Sequence, residues 1–119
     1  MISKEQFIEE YRIAAELYGN AMQDGKYKIV NSQYRVIKKL YLELEKHPNS
    51  RSEILGKLLV DKSDNVKIWA AAHCLGLGVF QREAEGTLKN ISKKREIEIL
   101  RFNAEMTLKV WKKQGYLRF

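Results

Sequence analysis

Residues 58–61 read Leu58-Leu59-Val60-Asp61, and residues 65–76 read Asn65-Val66-Lys67-Ile68-Trp69-Ala70-Ala71-Ala72-His73-Cys74-Leu75-Gly76. An apolar run ends at an aspartate turn, and a second run follows that is apolar on almost every side. A helix with that composition must be covered all round, so it belongs at the centre of a helical assembly. Ser63 and Asp64 stand where an N-cap is needed. Gly76-Leu77-Gly78 supplies a stop. The glycine pair follows a helix instead of a strand and lacks the rest of a phosphate-binding loop, so it carries no nucleotide signal.

Outward from this centre the chain keeps a helical period. Phe7, Tyr11, Ala14 and Tyr18 recur at helical steps behind the capping box Ser3-Lys4-Glu5-Gln6, which predicts a first helix over 4–23. Tyr27, Val30, Tyr34, Ile37, Tyr41 and Leu44 form a second stripe, predicting a helix over 26–46 that stops at His47-Pro48. Ser50-Arg51-Ser52-Glu53 reads as the capping box of a short third helix carrying Ile54, Leu55, Leu58, Leu59 and Val60. The fourth spans 65–75, the fifth 80–91 and the sixth 95–114. In the sixth, Ile97, Leu100, Ala104, Leu108 and Trp111 make the apolar stripe, and Glu105 with Lys109 offers i,i+4 support on the other face. Strand signals are lacking: apolar and polar residues seldom alternate. The expected fold is therefore all-α, with six helices in three stacked antiparallel hairpins forming one domain over 1–119.

Composition agrees. The chain has 119 residues, 45% of them hydrophobic, enough for a single core. Pro48 is the only proline, so little interrupts helix formation. Cys74 has no disulfide partner and reads as a small buried residue. Two separated histidines offer no metal cluster. The N-terminus turns polar within three residues and lacks an apolar leader, and no run is long enough to span a bilayer. The expectation is a cytoplasmic chain without membrane contact, cofactor or metal.

Val66, Ala71 and Leu75 recur as Ile99, Ala104 and Leu108, at a constant offset of 33 residues. This is a weak internal repeat, with alanine where two helices would approach closely. Leu58-Leu59-Val60-Asp61, Asn65-Val66-Lys67, Ala70-Ala71 and Leu75-Gly76 together resemble a HEAT repeat, the unit of short α-solenoids. Val66 to His73, with Ala104-Glu105-Met106-Thr107-Leu108, Trp111 and Gly115, resembles a family of small bacterial HEAT-like proteins. That family is similar to immunity proteins found beside polymorphic toxins, including contact-dependent growth inhibition systems. The resemblance implies a role in binding and blocking a cognate toxin. It transfers no toxin-contacting residue, because the shared positions are core positions.

Candidate function residues come from charge and from the central helix. The net charge is +7, yet residues 1–25 set Lys4 and Arg12 against five acids, a net −3, so the remainder carries +10. Lys28, Arg35 and Lys39 share one face of the second helix with Lys38 beside them. Lys89, Lys93, Lys94 and Arg95 cluster before the sixth, and Lys112, Lys113 and Arg118 lie near the end. Such a surface complements an acidic protein partner or, alternatively, nucleic acid through phosphate contacts. Trp69 and His73, one turn apart, read either as a recognition ridge or as a core pair. The partner-binding candidates are thus Lys28, Arg35, Lys38, Lys39, Trp69 and His73. Neighbouring carboxylates fall one or two residues apart and point in different directions, and no nucleophile–base set appears, so a catalytic role is not expected. Tyr116, Leu117 and Phe119 are expected to dock back on the core.

Overall fold

The computed structural model describes residues 2–117 and 119; Arg118 of the basic set lies outside them. Six helices follow in order: α1 (Lys4–Asp24), α2 (Tyr27–Lys46), α3 (Pro48–Leu59), α4 (Asp64–Leu77), α5 (Gln81–Ser92) and α6 (Glu98–Gln114). No strand occurs among the described residues. The chain is all-α, as its periodicity requires.

Local chemistry sets the helix ends. Ser3 Oγ accepts the Gln6 amide at 3.2 Å and opens α1. Gly25 closes it at φ 71°, and the Lys26 amide donates back to the Ala21 carbonyl at 2.9 Å, a left-handed cap that glycine adopts without strain. Ser63 Oγ accepts the Val66 amide at 3.4 Å and caps α4.

Three boundaries differ from the expectation by two residues or more. Helix α3 begins at Pro48, not at the Ser50 capping box, because proline at the first helical position loses no hydrogen bond and arrives with φ already set. Helix α4 continues through Gly76 to Leu77 and stops only at Gly78, which holds φ 74°. Helix α6 begins at Glu98, with Ile97 extended ahead of it and outside the core. Two stripe residues also leave the core. Tyr27, which opens α2, is 69% exposed, and Val60, which ends α3, is 78% exposed.

Helix α4 is central. It packs on α1, α3, α5 and α6, and aromatic rings of α2 reach it as well. Val66, Ile68, Ala70, Ala71, Ala72, Cys74 and Leu75 are all buried, and the three alanines let neighbouring backbones come close. Of the repeated positions, Ala71 and Ala104 are completely buried, Val66, Leu75 and Leu108 are interior, and Ile99 is half-buried.

Helix α1 lies along the α3–α4 connection and is tied to it by polar groups. Lys4 pairs with Glu53. Arg12 Nε donates to Asp61 Oδ2 at 2.6 Å, and Ser63 Oγ donates to Glu16 Oε1. Burial alone would raise the Asp61 carboxyl, but the Arg12 hydrogen bond and the Ser63 amide outweigh it and hold the group below its usual range. Further along α1, a Cβ on Gly19 would lie 2.0 Å from Asn65 Oδ1, so glycine is what lets α1 approach the start of α4. On the sixth helix Arg101 pairs with Glu98 at 3.7 Å, and no ion pair joins Glu105 to Lys109.

Candidate functional site

Tyrosines seven residues apart return to one side of a helix. Tyr11 and Tyr18 do so on α1, Tyr34 and Tyr41 on α2. Trp69 and His73, four apart, do so on α4. The fold brings the three pairs into two rungs. In one, Trp69 lies between Tyr18, at a ring-centroid distance of 5.1 Å and an interplanar angle of 82°, and Tyr34, at 6.2 Å and 57°. In the other, His73 lies between Tyr11, at 5.6 Å and 84°, and Tyr41, at 4.7 Å and 36°. Trp69 and His73 are themselves 5.6 Å apart. Edge-to-face and tilted geometries of this kind suit the ring quadrupoles.

The segment after α6 completes the second rung. Gly115 turns the chain at φ 76°, Leu117 packs on the core, and the Phe119 ring sits 4.6 Å from Tyr41 and 4.9 Å from His73. Docking of Leu117 and Phe119 was expected; Tyr116 stays 48% exposed.

Between the rungs and α6 lies a groove of about 300 Å³. Tyr18, Tyr34 and Trp69 form one wall, Asn103, Met106 and Val110 of α6 the other, and Leu117 with Phe119 closes an end. The groove is mainly apolar, and the side chains of Tyr18, Tyr34, Trp69 and Asn103 form no hydrogen bond among the described residues. A concave apolar site with a few polar groups is the usual form of a ligand or anchor pocket.

His73 is the buried polar residue of the core, 0% exposed. Its Nδ1 and the Tyr11 hydroxyl share a hydrogen bond of 2.7 Å. Its Nε2 is buried and has no partner among the described residues. Burial lowers the imidazole to about 3, so the ring is neutral. Burial also raises the Tyr11 phenol well above 10, with the Cys74 thiol adding to the effect. Neither group changes charge near neutrality, so neither is an acid or a base there. Cys74, next in sequence, is a buried free thiol close enough to act on Tyr11. Burial, helped by Glu83, pushes its thiol up to about 12, which suppresses thiolate chemistry. No group of three His, Cys, Asp or Glu residues suited to a metal occurs among the described residues.

The other candidates lie elsewhere. Lys28, Arg35, Lys38 and Lys39 are exposed on α2, and none forms an ion pair among the described residues. Lys28, Arg35 and Lys39 project from the face opposite Val30, Ile37 and Leu44, away from the core. Of the four, Lys38 stands one helical turn from Tyr34, which lines the groove. Trp69 is half-buried and faces the groove, whereas His73 lies behind it, beyond the reach of solvent. Lys94 pairs with Asp64 at 2.9 Å. Trp111 donates from Nε1 to Glu85 Oε1 at 2.8 Å and ties α6 to α5. His47 holds its helix end, with Nδ1 2.9 Å from the Glu43 carbonyl. The α6 wall of the groove and the Tyr11–His73 bond have no signature in the sequence. The seven-residue tyrosine steps were visible there, but only as core stripes. No described helix is long and apolar enough to cross a membrane. No family model, curated protein or solved structure matches the chain.

Proposed function

We propose that this protein is a non-catalytic protein-binding module, and specifically an immunity-type protein that neutralises a cognate toxin by direct binding. The observation that carries the reading is an aromatic groove of about 300 Å³ flanked by a helix whose four exposed cations, Lys28, Arg35, Lys38 and Lys39, form no ion pair among the described residues. Interfaces draw most of their energy from aromatic and apolar anchors seated in such pockets. Unpaired surface cations steer an acidic partner toward them. The resemblance of Val66 to His73, with Ala104 to Leu108, Trp111 and Gly115, to small HEAT-like proteins similar to immunity proteins supplies the toxin as the kind of partner. The chemistry of His73 and Cys74, both uncharged and enclosed, gives no support to an enzyme.

Co-expression with the product of the adjacent upstream reading frame is the test. The expected result is a complex that survives purification and suppresses the toxicity of that product. A neighbour that is harmless, or that binds no tighter than an unrelated acidic protein, ends the immunity reading. The unpaired basic face also supports a second reading, nucleic-acid binding through phosphates. That reading requires a complex in gel-shift experiments at low salt that weakens steeply as salt rises, and loss of it when Lys38 and Lys39 become glutamate.

A further inference from the structure

Phe119 occupies a seat that the rest of the molecule has shaped for a ring. Its floor is the backbone of α4 at Gly76. A Cβ there would lie 2.8 Å from Phe119 Cε2 and 3.0 Å from Tyr41 Oη, so any residue with a side chain would fill the place the ring now takes. One side of the seat is Tyr41 and the other His73. The last residue of the chain is only partly buried there.

The seat is chemically incomplete with phenylalanine in it. The two nitrogens of an imidazole lie on different edges of the ring. With Nδ1 engaged by Tyr11, Nε2 lies on the edge away from that hydroxyl, fully buried and without a partner. The remaining rings packed on His73 are Tyr41, Trp69 and Phe119, and none of them pairs with Nε2. Buried polar atoms are almost always paired. The orphan belongs to an imidazole packed against a ring that has no polar atom of its own, and a ring that carried one could meet it. The groove adjoins this seat, since Phe119, which fills the seat, also lines the groove.

We infer that the Phe119 seat is a binding site for a planar aromatic ring bearing a hydrogen-bonding group, a phenol or an indole, and that Phe119 is the chain's own stand-in for that ring. The incoming ring replaces Phe119 on Gly76 and Tyr41, and its polar group pairs with His73 Nε2. Phe119 must leave first, so affinity in the intact chain is reduced by the fraction of time the seat is filled. Displacement is local: Phe119 is held by ring contacts beyond the helix stop at Gly115, not by a helix of its own. The ring can come from a free small molecule or from a tyrosine or tryptophan side chain of a protein.

The experiment compares the full chain with its Phe119→Ala variant, using p-cresol, toluene and the tripeptide Gly-Tyr-Gly as probes. Binding is read by the 15N shift of His73 Nε2 and by tryptophan fluorescence. The variant is expected to bind p-cresol at least about tenfold tighter than the intact chain, and about tenfold tighter than it binds toluene, each step being one hydrogen bond or one displaced ring in size. The Nε2 resonance should move with p-cresol and not with toluene. Gly76→Ala in the same background should abolish both. A tripeptide that binds tighter than p-cresol identifies a protein side chain as the natural ring; p-cresol binding alone identifies a small molecule. Equal affinity for p-cresol and toluene, or no gain on removing Phe119, overturns the inference. Should Phe119→Ala unfold, the intact chain at millimolar p-cresol must still show the Nε2 shift, and its absence there counts equally against it.

Discussion

His73 couples the core to pH. In the folded chain burial holds its imidazole at about 3, while in the unfolded chain it titrates near 6.5. Above the unfolded value both states are neutral and the residue adds no pH dependence. Below it the unfolded state binds a proton that the folded state refuses, so stability falls as pH drops from about 6.5 toward 3. The slope is about 1.4 kcal/mol per pH unit for one such group. Urea unfolding at pH 7.5, 6.0 and 5.0 should show the midpoint falling, and His73→Phe, which removes the titration, should flatten that fall whatever its own effect on stability. A His73→Phe slope equal to that of the parent chain would show that other groups carry the dependence. The sequence could suggest the neighbours of this residue only in part. Trp69 is a turn away on the same helix and is legible as such. Tyr11 is 62 residues away, and its arrival depends on how α1 crosses α4, which no local pattern encodes. A partner of that kind decides whether a central histidine is an exposed ligand or a neutral core group.

Six helices could be read from the chain because each carries an apolar stripe, and most carry a cap or a stop, that agree with one another. The boundaries that moved did so where two signals compete. At residues 48–52 a proline and a serine cap both offer a start, and the proline comes first. At 76–78 two glycines both offer a stop; only Gly78 has the positive φ that requires one, and Gly76 is needed for a different reason, the close approach of Phe119. The distinction yields a prediction about glycine itself. Gly86 is inside α5 with nothing within 4 Å of its missing Cβ. Gly86→Ala should therefore raise stability by about 0.5–1 kcal/mol, the difference in helix propensity. Gly78→Ala should lower it by roughly 1 kcal/mol or more, because alanine must adopt a left-handed conformation there. Thermal melts of the two variants should move in opposite directions from the parent; a shift of the same sign in both would mean that the cap at Gly78 is not what ends α4.

At the scale of the molecule, the residues that build the fold and the residues that offer a surface are separate sets. Val66, Ala70, Ala71 and Leu75 are inside, and they are among the positions on which the sequence's resemblance to a HEAT repeat rests. Lys28, Arg35, Lys38 and Lys39 are outside, unpaired among the described residues, and absent from that pattern. This is why an all-α fold could be read from the sequence while the groove could not. Its walls come from α1, α2, α4, α6 and the tail, and only packing brings them together. The separation has a measurable consequence. Replacing Lys38 and Lys39 with glutamate changes each position by two units and takes the net charge from +7 to +3. Neither lysine is buried or bridged, so no favourable interaction is lost and self-repulsion declines. Stability should stay within about 0.5 kcal/mol of the parent, as is usual for surface positions. Retention on a cation-exchange or heparin column should drop markedly, and association with an acidic partner should slow in its on-rate far more than in its off-rate. A large loss of stability in this double variant would mean that α2 depends on its basic face for folding. The cations would then have to be counted as part of the architecture, and the case for them as a surface kept for a partner would fail with it.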